Sequence, residues 1–216
     1  MALVWARLDN DFTNRSIGFV KMGSFDDREI VIVSGLPRSG TSMMMRMIVA
    51  GGVAALADDT RAADPDNPLG YFELDAVKGS AQDTAWVARA PGRVVKVVHA
   101  LLRYLPEGHR YAVVMMHRDL DEVVTSQRTM LERSGRAGAT ITPEALKRVF
   151  AAQMDEAARW LDARPWFRRL DVEYARVIAD PAREARRVAE FLGLGTAAEM
   201  ARAVDPTLYR NKRPAS

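Results

Sequence analysis

The sequence predicts an α/β fold: one domain over residues 1–216, with a central, mainly parallel sheet flanked by helices on both faces. Two observations predict it. Short strand-like runs at 29–34, 93–99 and 111–116, largely apolar, and a further strand expected at 168–173 alternate with stretches of helical periodicity. The first run, Ile30-Val31-Ile32-Val33, is aliphatic on four consecutive residues, as a strand covered on both faces is.

Taken in order, residues 1–28 form an N-terminal extension in which a hairpin is expected at 2–22. The first core strand, 29–34, runs through a Gly-Pro loop into a helix at 40–50, whose Met43, Met44, Met45 and Met47 read as core filler. The stretch 57–70, ADDTRAADPDNPLG, is rich in Asp, Pro and Asn and reads as a long loop. A strand at 93–99 and another at 111–116 follow, then a helix at 119–134 with acidic residues in its first turn. A flexible link ends at Pro143, which suits the first position of a helix running to 163. A strand at 168–173 and helices at 181–192 and 196–203 complete the pattern.

Composition narrows the function classes. At 216 residues, with 48% hydrophobic and 27% charged residues, the chain is long enough for one buried α/β core and short for two. No apolar run approaches the roughly 20 residues of a membrane span. The N-terminus, MALVWARLDND, has neither a basic leader nor a small-residue cleavage site, and the absence of cysteine removes disulfides and thiolate metal sites, so a cytoplasmic protein is expected. The net charge of +3 favours anionic ligands, but the arginines are spread among acids along helices, which argues against nucleic acid. No His, Cys or acidic cluster has ligand spacing, so no metal is expected. Oligomeric state, a homodimer included, is not legible.

Residues 30–47, IVIVSGLPRSGTSMMMRM, join strand, loop and helix in an order that makes an anion pocket: Gly35 and Pro37 turn the chain, and the helix opening at Gly40 offers unpaired N–H groups and a positive dipole end. The spacing from Gly35 to Gly40 is that of a Walker A loop, yet Thr41 stands where its lysine belongs, followed by Ser42. Phosphoryl transfer from a polyphosphate needs that lysine and a magnesium held by an acidic residue on a second strand; here the later strand ends in His117 and Arg118. A less charged group, such as sulfuryl, fits better.

Pro37-Arg38-Ser39-Gly40-Thr41-Ser42 resembles the 5'-phosphosulfate loop of sulfotransferases that use 3'-phosphoadenosine-5'-phosphosulfate (PAPS). Arg118-Asp119, Asp121 and Ser126 are similar to the same family's 3'-phosphate motif, an arginine at a strand end and a serine one or two turns into the next helix. A guanidinium fork and a hydroxyl suit phosphate oxygens. A third stretch, from Val172-Glu173-Tyr174 through Asp180-Pro181 to Phe191-Leu192-Gly193, looks like the family's scaffold motifs, with Ala175 at the usual acidic position after the tyrosine. The resemblance covers roughly residues 28 to 213 and implies a fold like that of P-loop nucleoside triphosphate hydrolases. It also implies PAPS as donor, 3'-phosphoadenosine 5'-phosphate (PAP) as product, and a hydroxyl or amine on a small-molecule or carrier-borne acceptor. The other readings are a small-molecule P-loop kinase, which the missing lysine opposes, and a non-catalytic nucleotide-binding protein.

The same resemblance implies the catalytic residues. Arg38 falls where a lysine in relatives serves the bridging oxygen; by its residue type alone it equally neutralises a bound phosphate. Asp58-Asp59-Thr60-Arg61 resembles the Glu-Glu-Thr-Arg of tyrosylprotein sulfotransferases and puts Asp59 on their general base, although an exposed aspartate, at a pKa of about 3.9, needs desolvation for that role, and both aspartates also suit a turn. His99 follows Lys96-Val97-Val98, one residue longer than the Lys-Thr-His of cytosolic sulfotransferases, a shift that turns a side chain to the opposite face of a regular strand unless a bulge intervenes. Glu73 lies in Gly70-Tyr71-Phe72-Glu73, a segment recurring in bacterial sulfotransferases. The order for the base is Asp59, then His99 and Glu73. His109 and His117 have no partner visible in sequence. The basic end, with Arg210 and Lys212, resembles the segment that reaches back to the 3'-phosphate in relatives, or is a solvated tail.

Overall fold

The computed structural model describes residues 25–58, 71–133 and 141–208. The expected hairpin at 2–22, Asp59 with most of its loop, most of the link before Pro143, and Arg210 with the basic end lie outside the described residues.

Among the described residues four strands form one parallel sheet: β1 (Glu29–Gly35), β2 (Val94–Lys96), β3 (Arg110–His117) and β4 (Phe167–Glu173), in the order β2-β1-β3-β4. Ile32 lies opposite Val95 on one side and Val113 on the other. Strand periodicity then sorts the side chains into two cores. Ile30, Ile32, Tyr111, Val113 and Met115 pack on one face with Trp86, Leu102, Val123, Met154 and Leu161. Val31, Val33, Ala112, Val114 and Met116 pack on the other with Met44, Met47, Val188, Leu192 and Met200. With both faces covered, every residue of β1 is buried, which explains its uninterrupted aliphatic run. Each such aliphatic side chain contributes roughly 1.5–3 kcal/mol on full burial.

The helices are α1 (Thr41–Ala50), α2 (Asp75–Lys78), α3 (Leu120–Arg133), α4 (Pro143–Asp162), α5 (Tyr174–Ala179), α6 (Pro181–Leu192) and α7 (Ala197–Arg202). Their ends follow from capping chemistry. Thr142 Oγ1 accepts from Ala145 N at 3.3 Å with Pro143 behind it, and Asp180 Oδ1 accepts from Arg183 N at 3.0 Å with Pro181 behind it. Gly193 closes α6 in the left-handed conformation. The four methionines of α1 are buried, as core filler should be.

One strand departs from expectation. The apolar run 93–99 predicts a longer strand, but only Val94–Lys96 pairs in the sheet. Val97 N still donates to Val33 O at 3.0 Å. The next acceptor along that edge, the Gly35 carbonyl, is taken instead by the His99 ring at 3.2 Å, and the chain turns into a 3-10 segment, His99–Tyr104. A side chain thus replaces the backbone ladder where β1 ends. Hydrophobic pattern alone cannot register that exchange.

Candidate active site

β1 and β3 are adjacent, so their strand–helix junctions lie side by side at the C-terminal edge of the sheet. Gly35, at φ 146°, ends β1 so close to β3 that an added Cβ would sit 2.6 Å from the Met116 carbonyl and from Ser39 Oγ. Gly40, at φ 97°, is the N-cap of α1, and a Cβ there would enter the Tyr174 ring. Gly40 has no side chain with which to cap α1, so the N-cap itself leaves the positive end of the helix dipole to an anion. Arg38 itself adopts φ 71°, a conformation that costs a non-glycine residue about 1–3 kcal/mol and marks a site the surrounding fold over-determines. Ser39 Oγ is buried without a hydrogen-bond partner.

The second junction is internally bonded. Asp119 Oδ1 accepts from Asp121 N at 2.9 Å and Glu122 N at 3.2 Å, capping α3. Arg118 Nε donates to Glu122 Oε2 at 2.8 Å, and both side chains are buried, at 9% and 5% exposure. Arg118 also lies over the Tyr174 ring, 4.7 Å from its centroid.

The two junctions meet at Arg38. Arg118 Nη1 donates to Arg38 O at 3.0 Å, and Arg38 Nε donates to Ser126 Oγ at 2.9 Å. Of the residues singled out in sequence, Arg38, Ser39, Gly40, Arg118 and Ser126 therefore share one locality. Thr41 and Ser42 open α1 beside them, and Pro37 turns the loop.

Lys96 enters from β2. Its Nζ donates to Ser42 Oγ at 3.0 Å and also to the Tyr71 carbonyl. The first turn of α1 thus has Arg38 in its loop and Lys96 against its hydroxyl. Lys96 is not among the expected site residues; its signal in the sequence is its place in Lys96-Val97-Val98-His99, the stretch set against Lys-Thr-His.

His99 is buried and doubly engaged: Nδ1 lies 3.2 Å from Gly35 O and Nε2 lies 3.1 Å from Gln153 Oε1. A carbonyl only accepts, so Nδ1 carries a proton. The role of Nε2 toward the Gln153 amide then follows from the tautomer and the amide orientation. The strand-face objection to His99 loses its basis, because regular strand structure ends at Lys96.

Glu73 is three-quarters buried and lies 3.8 Å from Lys78 Nζ. Its carbonyl accepts from Asp58 N at 2.7 Å, while Asp58 Oδ2 accepts from Asp75 N at 2.7 Å at the start of α2. Asp58 has the turn-and-cap role its composition suggested. His117 does have a partner, Asp171 on the neighbouring strand, at 2.7 Å. That hydrogen bond, with Arg169 adding to it, holds the Asp171 carboxyl below its ordinary range.

Tyr174 was read as scaffold; the structure puts its ring against Gly40 and Arg118. Burial raises its phenol above the ordinary value, against the opposing influence of the neighbouring arginines, so near neutral pH it remains an O–H donor.

Comparison with known proteins adds an independent observation. A family described as Sulfotransferase family matches residues 54–198, beginning beyond the loop and α1. Among solved structures, the sulfotransferase STF1 from Mycobacterium tuberculosis H37Rv is 17% identical, with a TM-score of 0.53 over 82% of this chain and 70% of that one. The sulfotransferase domain of the Synechococcus PCC 7002 olefin synthase is 16% identical, with a TM-score of 0.51 over 89% and 91%. The sulfotransferase domain of the curacin biosynthetic pathway is 12% identical, with a TM-score of 0.52 over 87% and 93%. At these identities the structural likeness speaks for the fold. No curated protein matches the sequence.

Proposed function

The chain belongs to the sulfotransferase family, and we propose that it transfers a sulfuryl group from PAPS to a hydroxyl or amine of a small-molecule or carrier-borne acceptor. The observation that carries this reading is the meeting of two phosphate-suited junctions at Arg38, bonded to Ser126 through Nε and to Arg118 through its carbonyl. A nucleotide phosphorylated at both its 5' and 3' ends has a use for both junctions; one phosphorylated at the 5' end alone uses only the first.

In the reaction, the acceptor oxygen or nitrogen attacks sulfur in line with the bond to the 5'-phosphate. The new bond to sulfur forms as the bridging S–O bond breaks, its electron pair leaves on PAP, and the acceptor proton passes to a base. Positioning and fixed charge do most of the work. The uncapped turn of α1 and the Pro37 to Ser42 loop hold the 5'-phosphosulfate. Arg38 exchanges part of its bonding with Ser126 for the bridging oxygen, where charge accumulates. Lys96, anchored on Ser42, faces the sulfuryl oxygens and supplies from β2 the cation that a Walker loop carries itself. Arg118 and Ser126 hold the 3'-phosphate, and Arg210 is a further donor contact in this reading.

Asp59 remains the first choice for the base, followed by His99 and Glu73. For His99 the geometry sets a condition: its Nε2 is engaged by the Gln153 amide, so an acceptor must displace that amide before giving up its proton.

Two measurements test the proposal. PAP raises the melting temperature, whereas ATP with magnesium does not; the reverse result removes the donor assignment. Asp59→Asn keeps wild-type affinity for PAP and depresses turnover; undiminished turnover moves the base role to His99 or Glu73.

A further inference from the structure

Among the described residues, two other than glycine have positive φ: Arg38, in the loop before α1, and Phe72, at 52°. For a bulky aromatic residue that conformation is costly and persists only where the surroundings impose it.

Phe72 is held from both sides. After it, Glu73 O accepts from Asp58 N at 2.7 Å, Leu74 is buried in the core, and Asp75 N donates to Asp58 Oδ2 at 2.7 Å as α2 begins. Before it, Tyr71 is buried and its carbonyl accepts from Lys96 Nζ. The Phe72 side chain packs on the α1 side of the sheet, the side shared by Val94 and Val33; Lys96 is in register with Val33 and projects the same way.

The φ angle of a residue turns the peptide before it about the N–Cα bond. With residues 73–75 anchored on Asp58, φ at Phe72 sets where the Tyr71 carbonyl points. An ordinary negative φ would swing that peptide by roughly 100° and take the carbonyl off Lys96.

The consequence falls on the ammonium. Lys96 is a point charge on a flexible stem, with its Nζ bonded to Ser42 Oγ at 3.0 Å and to the Tyr71 carbonyl, and 5.8 Å from the centroid of the Tyr71 ring. A backbone acceptor set by a strained turn removes the freedom of that stem, so the cost of ordering it is met before a ligand arrives.

We propose that Phe72 is a positioning residue for sulfuryl transfer: its left-handed turn aims the Tyr71 carbonyl at Lys96 and thereby holds the ammonium at the opening of α1. This rests on the reading above, in which Lys96 faces the sulfuryl oxygens, and adds the residue that fixes it there.

The experiment is calorimetric binding of PAPS and of PAP, which differ by the sulfuryl group, to the wild type, Phe72→Val, Phe72→Gly, Lys96→Met and the double variant of Phe72→Val with Lys96→Met. Valine resists positive φ and glycine adopts it freely, while both remove the ring. Phe72→Val lowers PAPS affinity about tenfold and leaves PAP affinity within about twofold of the wild type, whereas Phe72→Gly keeps the wild-type ratio of the two. The double variant loses no more PAPS affinity than Lys96→Met alone, because the two residues act as a unit. If Phe72→Val does not fold, Phe72→Ala, which has a Cβ and no ring, takes its place. Equal losses in the valine and glycine variants assign the effect to the ring and overturn the inference, as do an unchanged ratio in folded Phe72→Val and additive losses in the double variant; the donor reading survives all three. A Lys96→Met protein with the wild-type ratio overturns the inference together with the role given to Lys96. A wild type that binds neither nucleotide overturns the donor reading as well.

Discussion

The two strand–helix junctions are built to the same plan and finished differently. At β1–α1 the backbone does the work: two glycines at positive φ, a strained Arg38, an uncapped helix start and a buried, unpartnered Ser39 hydroxyl. At β3–α3 side chains do the work, with Asp119 capping the helix and Glu122 bonded to Arg118. The shape of the first junction is set by backbone sterics. The second is bonded within itself, so its arginine is aimed before a ligand arrives, but part of its charge is already balanced. Backbone cradles should therefore fail abruptly when altered, and side-chain cradles by degrees.

That contrast can be broken most severely at Gly40. Gly40→Val puts a β-branched residue at φ 97° and into the Tyr174 ring, and is expected to eliminate measurable PAP binding in calorimetry; retained affinity would show that the loop is not the anion site. Arg118→Ala should lose about 1.5–3 kcal/mol of PAP affinity, the range for a charged hydrogen bond, with little change in affinity for a nucleotide bearing only a 5'-phosphate. Ser126→Ala releases Arg38 while leaving the loop intact, so PAP affinity should fall by about 0.5–1.5 kcal/mol, and an effect as large as that of Arg118→Ala would mean that Ser126 organises the whole site.

The smallest effect concerns the end of β3 beside Arg118. The Asp171 carboxyl is lowered chiefly by its bond from His117, so its folded-state pKa lies below its unfolded value of about 3.9. Its contribution to stability is present above that unfolded value and is lost as pH falls through the folded one. Because the pair is partly exposed, solvent screening keeps the effect small. Urea titrations from about pH 5 downward should show a shallower acid decline in Asp171→Asn than in the wild type.

Sequence legibility divided along the same line. The loop at 35–42 and the Arg118 to Ser126 pattern were readable because local spacing determines them: a strand end, a turn and the first turns of a helix fix their own geometry. The strands β1 and β3 are readable from consecutive apolar residues for the same reason, whereas β4 alternates apolar and charged residues. Long-range bonds were not. The edge strand was drawn too long because the His99 ring occupies a carbonyl 64 positions earlier in the chain. Tyr174 was taken for scaffold because its contacts with Gly40 and Arg118 arise only when β4 docks beside β3.

The bond from Asp58 N to Glu73 O, backed by the Asp58 carboxylate on the first amide of α2, ties off the base of the twelve-residue stretch 59–70. A stretch clamped at both feet can be shortened, lengthened or exchanged with a relative's without pulling on the nucleotide-handling core. Because Asp59, the first choice for the base, falls within that stretch, any such exchange has to keep an aspartate at its first position.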